Sequence, residues 1–187
     1  MNIRPAVKED AQAAARLLYD ALHDIAHQLT GQESEEDALR DLAFYFEQEE
    51  GRLSYHQCLV SEVDGKAAGL IVTYGGDEAK ELDRPMVERL RELKNDPSFT
   101  LDKEADEDEF YIDTLSVSSS YKGMGIGSAL IRAAEARAKE RGYGKIALAV
   151  VTGNKRAYSL YLRTGYEVDK EIIINKHVYF HMVKHLE

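Results

Sequence analysis

Residues 121–128 read Tyr-Lys-Gly-Met-Gly-Ile-Gly-Ser, so glycine occupies every second position from Gly123 to Gly127. A strand-like run at 110–117 precedes this stretch, and a helical pattern begins near Ile126. A turn without side chains lets backbone N–H groups approach an anion closely, and the N-terminus of a helix adds partial positive charge. The stretch therefore predicts a phosphate-binding turn between a strand and a helix.

Two common phosphate-binding motifs do not fit these glycines. A P-loop requires a Gly-Lys-Ser or Gly-Lys-Thr tripeptide, and none follows here. A dinucleotide fingerprint that starts at Gly123 requires a third glycine at position 128, which is Ser128. The stretch instead resembles [Arg/Gln]-x-x-Gly-x-[Gly/Ala], the pyrophosphate loop of the GNAT superfamily of N-acetyltransferases, with Lys122 where Arg or Gln is usual.

A second segment carries the same resemblance. Residues 154–166 match the family pattern N-x-x-A-x-x-L-Y-x-x-x-G-[FY] at every fixed position. By itself the segment predicts only an amphipathic helix with Asn154 as its N-cap, Gly165 beyond its end and Tyr161 as a core aromatic residue. Because both motifs occur in the family's order, the chain is identified as a member of the GNAT superfamily. The resemblance covers nearly the whole chain and is weakest at 75–109.

Composition indicates one soluble domain over residues 1–187, which we expect to be cytoplasmic. Apolar residues make up 44% of the chain, but no apolar run approaches the ~18 residues of a membrane span. The N-terminus leads directly into structure and does not read as a signal peptide. Cys58 is the only cysteine, which excludes an intrachain disulfide, and its strand-like surroundings predict a buried side chain.

The net charge limits the kinds of partner that the sequence favours. The formal charge of −10 argues against a nucleic-acid partner, because phosphate backbones require a basic face. An acidic surface favours a cationic acceptor, although acidity for solubility alone explains the same composition. A homodimer is left open by the sequence.

The periodicity of apolar residues predicts an α/β protein with the element order β-α-α-β-β-β-α-β-α-β-β. This order resembles the GNAT acyl-CoA N-acyltransferase fold, a central twisted mixed sheet flanked by helices. The predicted strands cover residues 3–4, 58–62, 68–72, 110–117, 145–151, 166–174 and 177–183. The main predicted helices cover 8–27, 34–46, 126–141 and a segment that begins at Asn154.

An insertion at 75–109 separates the third and fourth strands, where a tight turn is usual in the family. Residues 84–94 have a helical pattern, and seven of the eight residues at 102–109 are charged, six of them acidic. Two interpretations are equally consistent with this composition. The segment is either a solvated, mobile loop or a lid that forms a wall of the acceptor site.

The resemblance implies transfer of an acetyl group from acetyl-CoA to a primary amine by direct attack, without a metal. The central strand would leave its neighbour near residues 115–117 and pair with the pantetheine arm there, so that the N–H of Val117 stabilises the oxyanion. Tyr161 would donate a proton to the leaving thiolate, since phenol and thiol pKa values are close. The residues implied for acetyl-CoA are Leu115, Ser116, Val117, Lys122, Gly123, Met124, Gly125, Ile126, Gly127, Ser128 and Asn154.

The general base is less clearly marked. Asp113 lies on the central strand four residues before Val117, where similar enzymes often place an acid, so we expect it to deprotonate the amine. A cross-strand or capping role for Asp113 fits the sequence equally. His23 and His27 form an i, i+4 pair, but no third ligand is evident, so we predict a surface pair and no metal site.

Three functions follow from these residues. The leading hypothesis is an N-acetyltransferase that acts on a small amine. A protein or peptide N-acetyltransferase that modifies an N-terminus or Lys, and a non-catalytic CoA-binding sensor, are the alternatives. Intact Asn154 and Tyr161 argue against the sensor, and the glycine loop argues against a purely structural partner module. The sequence does not identify the acceptor, because the residues that line acceptor sites lie in variable loops rather than in the family motifs.

Overall fold

The computed structural model describes all residues, Met1–Glu187, around one seven-stranded sheet of order β1-β2-β3-β4-β5-β7-β6. Neighbouring strands are antiparallel except for the parallel pair β4 and β5. This mixed sheet confirms the predicted fold class. The strands are β1 (Asn2–Pro5), β2 (Cys58–Val63), β3 (Lys66–Gly75), β4 (Phe110–Val117), β5 (Lys145–Val151), β6 (Glu167–Ile174) and β7 (His177–His185).

Helices cover both faces of the sheet, because side chains of successive strand residues point to opposite faces. Along β3, Leu70 and Val72 pack with the helices of one face, whereas Ile71 packs with those of the other. The first face carries α1 (Ala11–Leu22), α2 (Asp24–Thr30), α3 (Glu35–Glu47) and α4 (Ala79–Lys94), and the second carries α5 (Ile126–Glu140) and α6 (Lys155–Arg163). No helix of the chain is both long and apolar enough to cross a membrane.

One predicted helix is wrong in its extent. The run at 8–27 is two helices, α1 and α2, because His23 adopts φ 49° and ψ −119° and interrupts the helical path. The N–H of His23 still bonds to the carbonyl of Tyr19, and its carbonyl accepts from the N–H of Ala26, so the chain ends one helix and begins the next at a single residue. No Gly or Pro stands at this position, so the periodicity of apolar residues predicted one continuous helix.

The strands β4 and β5 separate after a short parallel ladder. Only Phe110–Ile112 pairs with Ile146–Leu148, whereas β3 pairs with β4 along its whole length. The β3–β4 register shifts between Val72 and Thr73, which leaves Asp113 as an extra residue in a β-bulge. A wedge-shaped gap therefore opens between β4 and β5 from Asp113 onward, slightly earlier than the predicted position at residues 115–117.

The insertion is an ordered part of the core. Its helix, α4, starts earlier than predicted and buries Met86 and Leu90 in the cluster that also contains residues of α1, α2 and α3. Residues 95–109, here called the strap, then cross the same face of the sheet, with Ala105 buried against Tyr74 and Tyr111. These contacts contradict the interpretation of a solvated, mobile loop, and they leave the acceptor-wall interpretation in place.

Polar contacts fasten the strap to the far hairpin of β6 and β7. Asp102 accepts the N–H of Asn175 at 2.8 Å in the hairpin turn, and Lys170 Nζ lies 2.7 Å from Asp106. Glu109, at the end of the strap, accepts from Nε2 of the buried His181 at 2.7 Å. The strap therefore bridges the β4 side and the β7 side of the gap.

Candidate functional site

Six consecutive backbone N–H groups, from Gly123 to Ser128, donate to no backbone carbonyl. Those of Ile126, Gly127 and Ser128 belong to the first turn of α5, whose N–H groups have no partner within the helix. The helix dipole adds positive potential at the same place. The turn has the geometry that the glycine spacing predicted, and the binding of an anion by these residues stays a prediction.

The glycines keep the space above this turn open. Gly123 has φ 82° and Gly125 has φ 75°, a left-handed conformation that residues with side chains rarely adopt. A Cβ atom built at either position would meet no atom within 4 Å. The exposed Lys122 lies at the entrance of the turn, where its ammonium adds a positive charge for a phosphate.

The turn adjoins the gap between β4 and β5. A Cβ atom at Gly127 would lie 3.9 Å from Val117 and 4.0 Å from Leu115, so the start of α5 packs on the separated end of β4. The N–H of Ser118 bonds to the carbonyl of Ala68 on β3, and N–H groups alternate in direction along a strand. The N–H groups of Val117 and Leu115 therefore face the gap, whereas that of Ser116 faces β3.

The structure places Asn154 and Tyr161 on α6, beyond the end of β5. Asn154 caps the helix, since its Oδ1 accepts the N–H of Ala157 at 3.1 Å, and its amide nitrogen has no protein partner. Tyr161 is buried in the cluster that contains Ile126 and Leu148, and burial raises the pKa of its hydroxyl to about 12. The phenol is therefore protonated at neutral pH, and the role of acid stays a prediction for Tyr161.

Asp113 occupies the bulge at the mouth of the gap, but its carboxylate is fully engaged. Its Oδ2 accepts from Arg52 through both Nε, at 2.9 Å, and Nη2, and from the hydroxyl of Tyr74 at 2.6 Å. Its Oδ1 accepts from Thr114 at 2.8 Å, and only 1% of the side chain is exposed. The role of general base stays a prediction for Asp113. These contacts weigh against it, because Oδ2 already accepts three hydrogen bonds and the buried side chain is closed off from an incoming amine.

The remaining predicted features are structural. His23 marks the helix break, and His27 uses both ring nitrogens, on the hydroxyl of Tyr19 at 3.0 Å and the carbonyl of Gln32 at 2.8 Å. Cys58 is buried as predicted, and burial raises the pKa of its thiol well above the ordinary value. It is therefore a core residue rather than a nucleophile.

A cluster that the sequence did not reveal lies beside the mouth of the gap. Arg52, in the loop before β2, is 3% exposed and pairs with carboxylates from three other segments. These are Asp113 on β4, Asp83 on α4 at 3.4 Å, and Glu104 on the strap at 3.1 Å. Arg52 stands in no recognisable motif, and its partners lie up to 61 residues away, so no local signal marks the cluster.

Comparisons with known proteins agree with this geometry. The family model described as the acetyltransferase (GNAT) family matches residues 18–166. The chain is similar over its full length to the crystal structure of an acetyltransferase that is 33% identical, with both chains covered completely and a TM-score of 0.83. It is also similar to an N-acetyltransferase from Staphylococcus aureus Mu50, at 25% identity, 98% and 100% coverage and a TM-score of 0.82.

A more distant structure shows the same fold alone. This is the PaiA N-acetyltransferase from Thermoplasma acidophilum in complex with coenzyme A, at 17% identity, 98% coverage of both chains and a TM-score of 0.59. A search of curated protein sequences gives no match.

Proposed function

This chain belongs to the GNAT family of acetyltransferases, which use acetyl-CoA, and we propose that it transfers the acetyl group to a primary amine of a small molecule. One observation carries the proposal. The six unpaired N–H groups at residues 123–128 lie directly beside the gap between β4 and β5. A ligand with a diphosphate at one end and an extended amide arm at the other matches both features at once.

Different residues of the site would bind different parts of the cofactor. Lys122 and the N–H groups at 123–128 would bind the diphosphate of CoA. The backbone of Leu115 and Val117 would pair with the pantetheine amides as a neighbouring strand does. The free amide nitrogen of Asn154 is suited to a carbonyl of the same arm. A structural relative of the same fold was solved with coenzyme A, which supports this assignment of the ligand.

Two groups would act on the reacting atoms. The N–H of Val117 faces the gap and would donate to the carbonyl oxygen of the thioester as negative charge develops there. Tyr161 would deliver its hydroxyl proton to the sulfur that leaves with the electron pair of the C–S bond. Their positions at the two sides of the gap suit an attack by an amine from the face that the strap crosses.

The strap supports a small acceptor over a protein. It crosses the face of the sheet opposite α5 and is fastened to the β6–β7 hairpin, so it narrows the approach to the gap. Its carboxylates, together with the net charge of −10, favour an acceptor that carries positive charge.

Thiol release from acetyl-CoA tests the proposed function directly. The panel contains alkyl diamines and polyamines, amino acids, aminoglycosides, and peptides with a free N-terminus or Lys. We expect turnover with at least one small amine and faster release with those of higher positive charge. Turnover with peptides alone would replace the small-molecule proposal, and binding of CoA without turnover of any amine would support a sensor.

Replacement of Gly125 by Val is expected to weaken the binding of CoA at least tenfold, or about 1.4 kcal/mol. The branched side chain would occupy the open space above the turn, where the diphosphate is expected. Isothermal titration with CoA measures the loss.

Gly142→Val is the matched control. Gly142 also has positive φ, at 84°, and open space around its missing Cβ atom, but it lies after the far end of α5. Both variants carry the conformational cost of a side chain at positive φ, roughly 1–2 kcal/mol. Only Gly125→Val should lose affinity for CoA, and equal affinities of the two variants would place the diphosphate elsewhere.

A further inference from the structure

The buried cluster around Arg52 contains more negative than positive charge. One guanidinium faces the carboxylates of Asp83, Glu104 and Asp113, and Tyr74 and Tyr111 contribute only neutral hydroxyl donors. Buried carboxylates are normally paired one to one, because an unpaired charge in the interior is costly. The cluster is therefore arranged so that another positive charge is favourable beside it.

Two of the three carboxylates, those of Asp83 and Glu104, are partly exposed, with 22% and 14% of the side chain accessible. Asp113 is closed off by Arg52, Tyr74 and Thr114 and is 1% exposed. Asp83 keeps its Oδ1 buried, with no hydrogen bond and only the distant contact to Arg52.

Glu104 differs from Asp83 because it also contacts Tyr111 on β4. Its side chain is 14% exposed, and each of its oxygens has one donor: Oε1 accepts from Arg52 Nη2 at 3.1 Å, and Oε2 accepts from the hydroxyl of Tyr111 at 2.9 Å. A carboxylate oxygen has two lone-pair positions, so each retains one. Glu104 can accept a further hydrogen bond or a proton without losing its present contacts.

Glu104 also lies at the mouth of the gap. The nitrogen of Arg52 that contacts Glu104 also contacts Asp113, the first residue of β4 beyond the paired segment. The other partner of Glu104, Tyr111, lies on β4 in the paired segment. Glu104 therefore lies over β4, next to the point where the two central strands part.

We infer that Glu104 is a catalytic residue, the base that binds the acceptor ammonium at the mouth of the gap and removes its proton. The inference rests on the proposed function, because it requires an amine to approach a thioester held between β4 and β5. The base would then come from the strap, which the family pattern lacks. The acid on the central strand, Asp113, is already occupied by its hydrogen bonds.

The proton steps balance. An oxygen of Glu104 takes one proton from the ammonium, which leaves a lone pair on nitrogen. That lone pair forms the C–N bond at the thioester carbonyl, and the C–S bond breaks with its electron pair on sulfur. Sulfur receives a proton from Tyr161, and the second proton lost by nitrogen restores the phenol through solvent. Glu104 then releases its proton to solvent.

The surroundings of Glu104 suit this step. Burial raises the pKa of Glu104, and the charge of Asp113 adds to the effect, whereas Arg52 opposes it. A carboxylate with a raised pKa is a stronger base and lies closer to the pKa of an amine, which lowers the cost of proton transfer. The other charged or titratable groups that face this region are Asp83, Tyr74, Tyr111, Tyr179 and Asp24.

Glu104→Gln tests the inference, with Glu107→Gln as its control. Gln keeps the size of Glu104 and one of its two acceptor oxygens and removes its basicity, whereas Glu107 is an exposed residue of the same strap. With 1,4-diaminobutane, or with the panel amine that gives the fastest thiol release, kcat/KM of Glu104→Gln should fall about 10²-fold or more at pH 7. The KM for acetyl-CoA should stay within about threefold of wild type, and Glu107→Gln should match wild type.

The pH dependence separates a base from a structural residue. The defect of Glu104→Gln should shrink as the pH approaches the pKa of the free amine, about 10.4 for an alkylamine, because the acceptor then arrives without its extra proton. A loss that is equal at every pH, or activity equal to that of Glu107→Gln, would overturn the inference.

A second variant covers the case in which Glu104→Gln does not fold. Glu104→Asp keeps the charge next to Arg52 and withdraws the carboxylate by one methylene. It should melt close to the wild-type temperature and lose at least about tenfold in kcat, and a full rate would contradict the assignment. Failure of the proposed function is distinct from these outcomes, because wild type itself would then release no thiol with any amine.

Discussion

Tyr161→Phe is expected to lower kcat about 10²-fold while leaving the affinity for acetyl-CoA unchanged. The substitution keeps the aromatic ring, which packs at 5.9 Å from that of Tyr166, and deletes only a hydroxyl that makes no hydrogen bond within the chain. General acid catalysis contributes roughly 10²–10⁴-fold, and a thiolate is already a fair leaving group, so the low end of that range applies. Steady-state kinetics with an acceptor for which chemistry is rate-limiting measures the effect.

Tyr158→Phe provides the matched control on the same helix. Tyr158 packs against Phe180, with ring centroids 5.3 Å apart, and has no role in the proposed chemistry. We expect that removal of the Tyr158 hydroxyl leaves kcat unchanged. If Tyr161→Phe keeps the wild-type kcat as well, Tyr161 is a core aromatic residue, and water or another group protonates the sulfur.

Asp113→Asn is expected to destabilise the fold by about 1–3 kcal/mol, because it disrupts the buried hydrogen bonds that Asp113 accepts from Arg52 and Tyr74. This loss is a large fraction of the roughly 5–15 kcal/mol that stabilises a typical domain. Urea unfolding followed by circular dichroism measures the change. The remaining activity, per folded molecule, should fall by the same factor at every pH.

The control for Asp113→Asn is Asp108→Asn. Asp108 pairs with Lys145 at 2.9 Å but is 74% exposed, and such surface pairs contribute at most about 1 kcal/mol. If Asp113→Asn is as stable as Asp108→Asn and its rate recovers at high pH, Asp113 is the general base that its sequence position predicted.

The sequence contained the cofactor side of the site because that side is built from local signals. Glycine spacing at 123–127 predicted the turn, and the N-cap at Asn154 predicted the start of α6; both features were found at those positions. Each depends on residues within a few positions of one another, where backbone conformation and residue type are directly coupled.

The acceptor side was not readable in the same way. The charged run at 102–109 has the composition of a solvated loop, yet its acids meet Arg52, Lys170 and His181, which come from distant segments. Ion pairs between residues so far apart in the chain leave no periodic pattern in the sequence. The break at His23 likewise shows only as a positive φ, which the residue type did not announce.

The three-residue ladder between β4 and β5 has a mechanical consequence. The sheet has two parts, here called plates: one of four strands, β1 to β4, and one of three, β5 to β7. Strand pairing joins the two plates only through this ladder, here called the seam. The strap acts as a cross-brace over this seam, attached through Glu104 to the first plate and through Asp102, Asp106 and Glu109 to the second. The angle between the plates sets the width of the gap. Residues on the outer hairpin therefore help to set the width of the gap, although they lie far from it along the sheet.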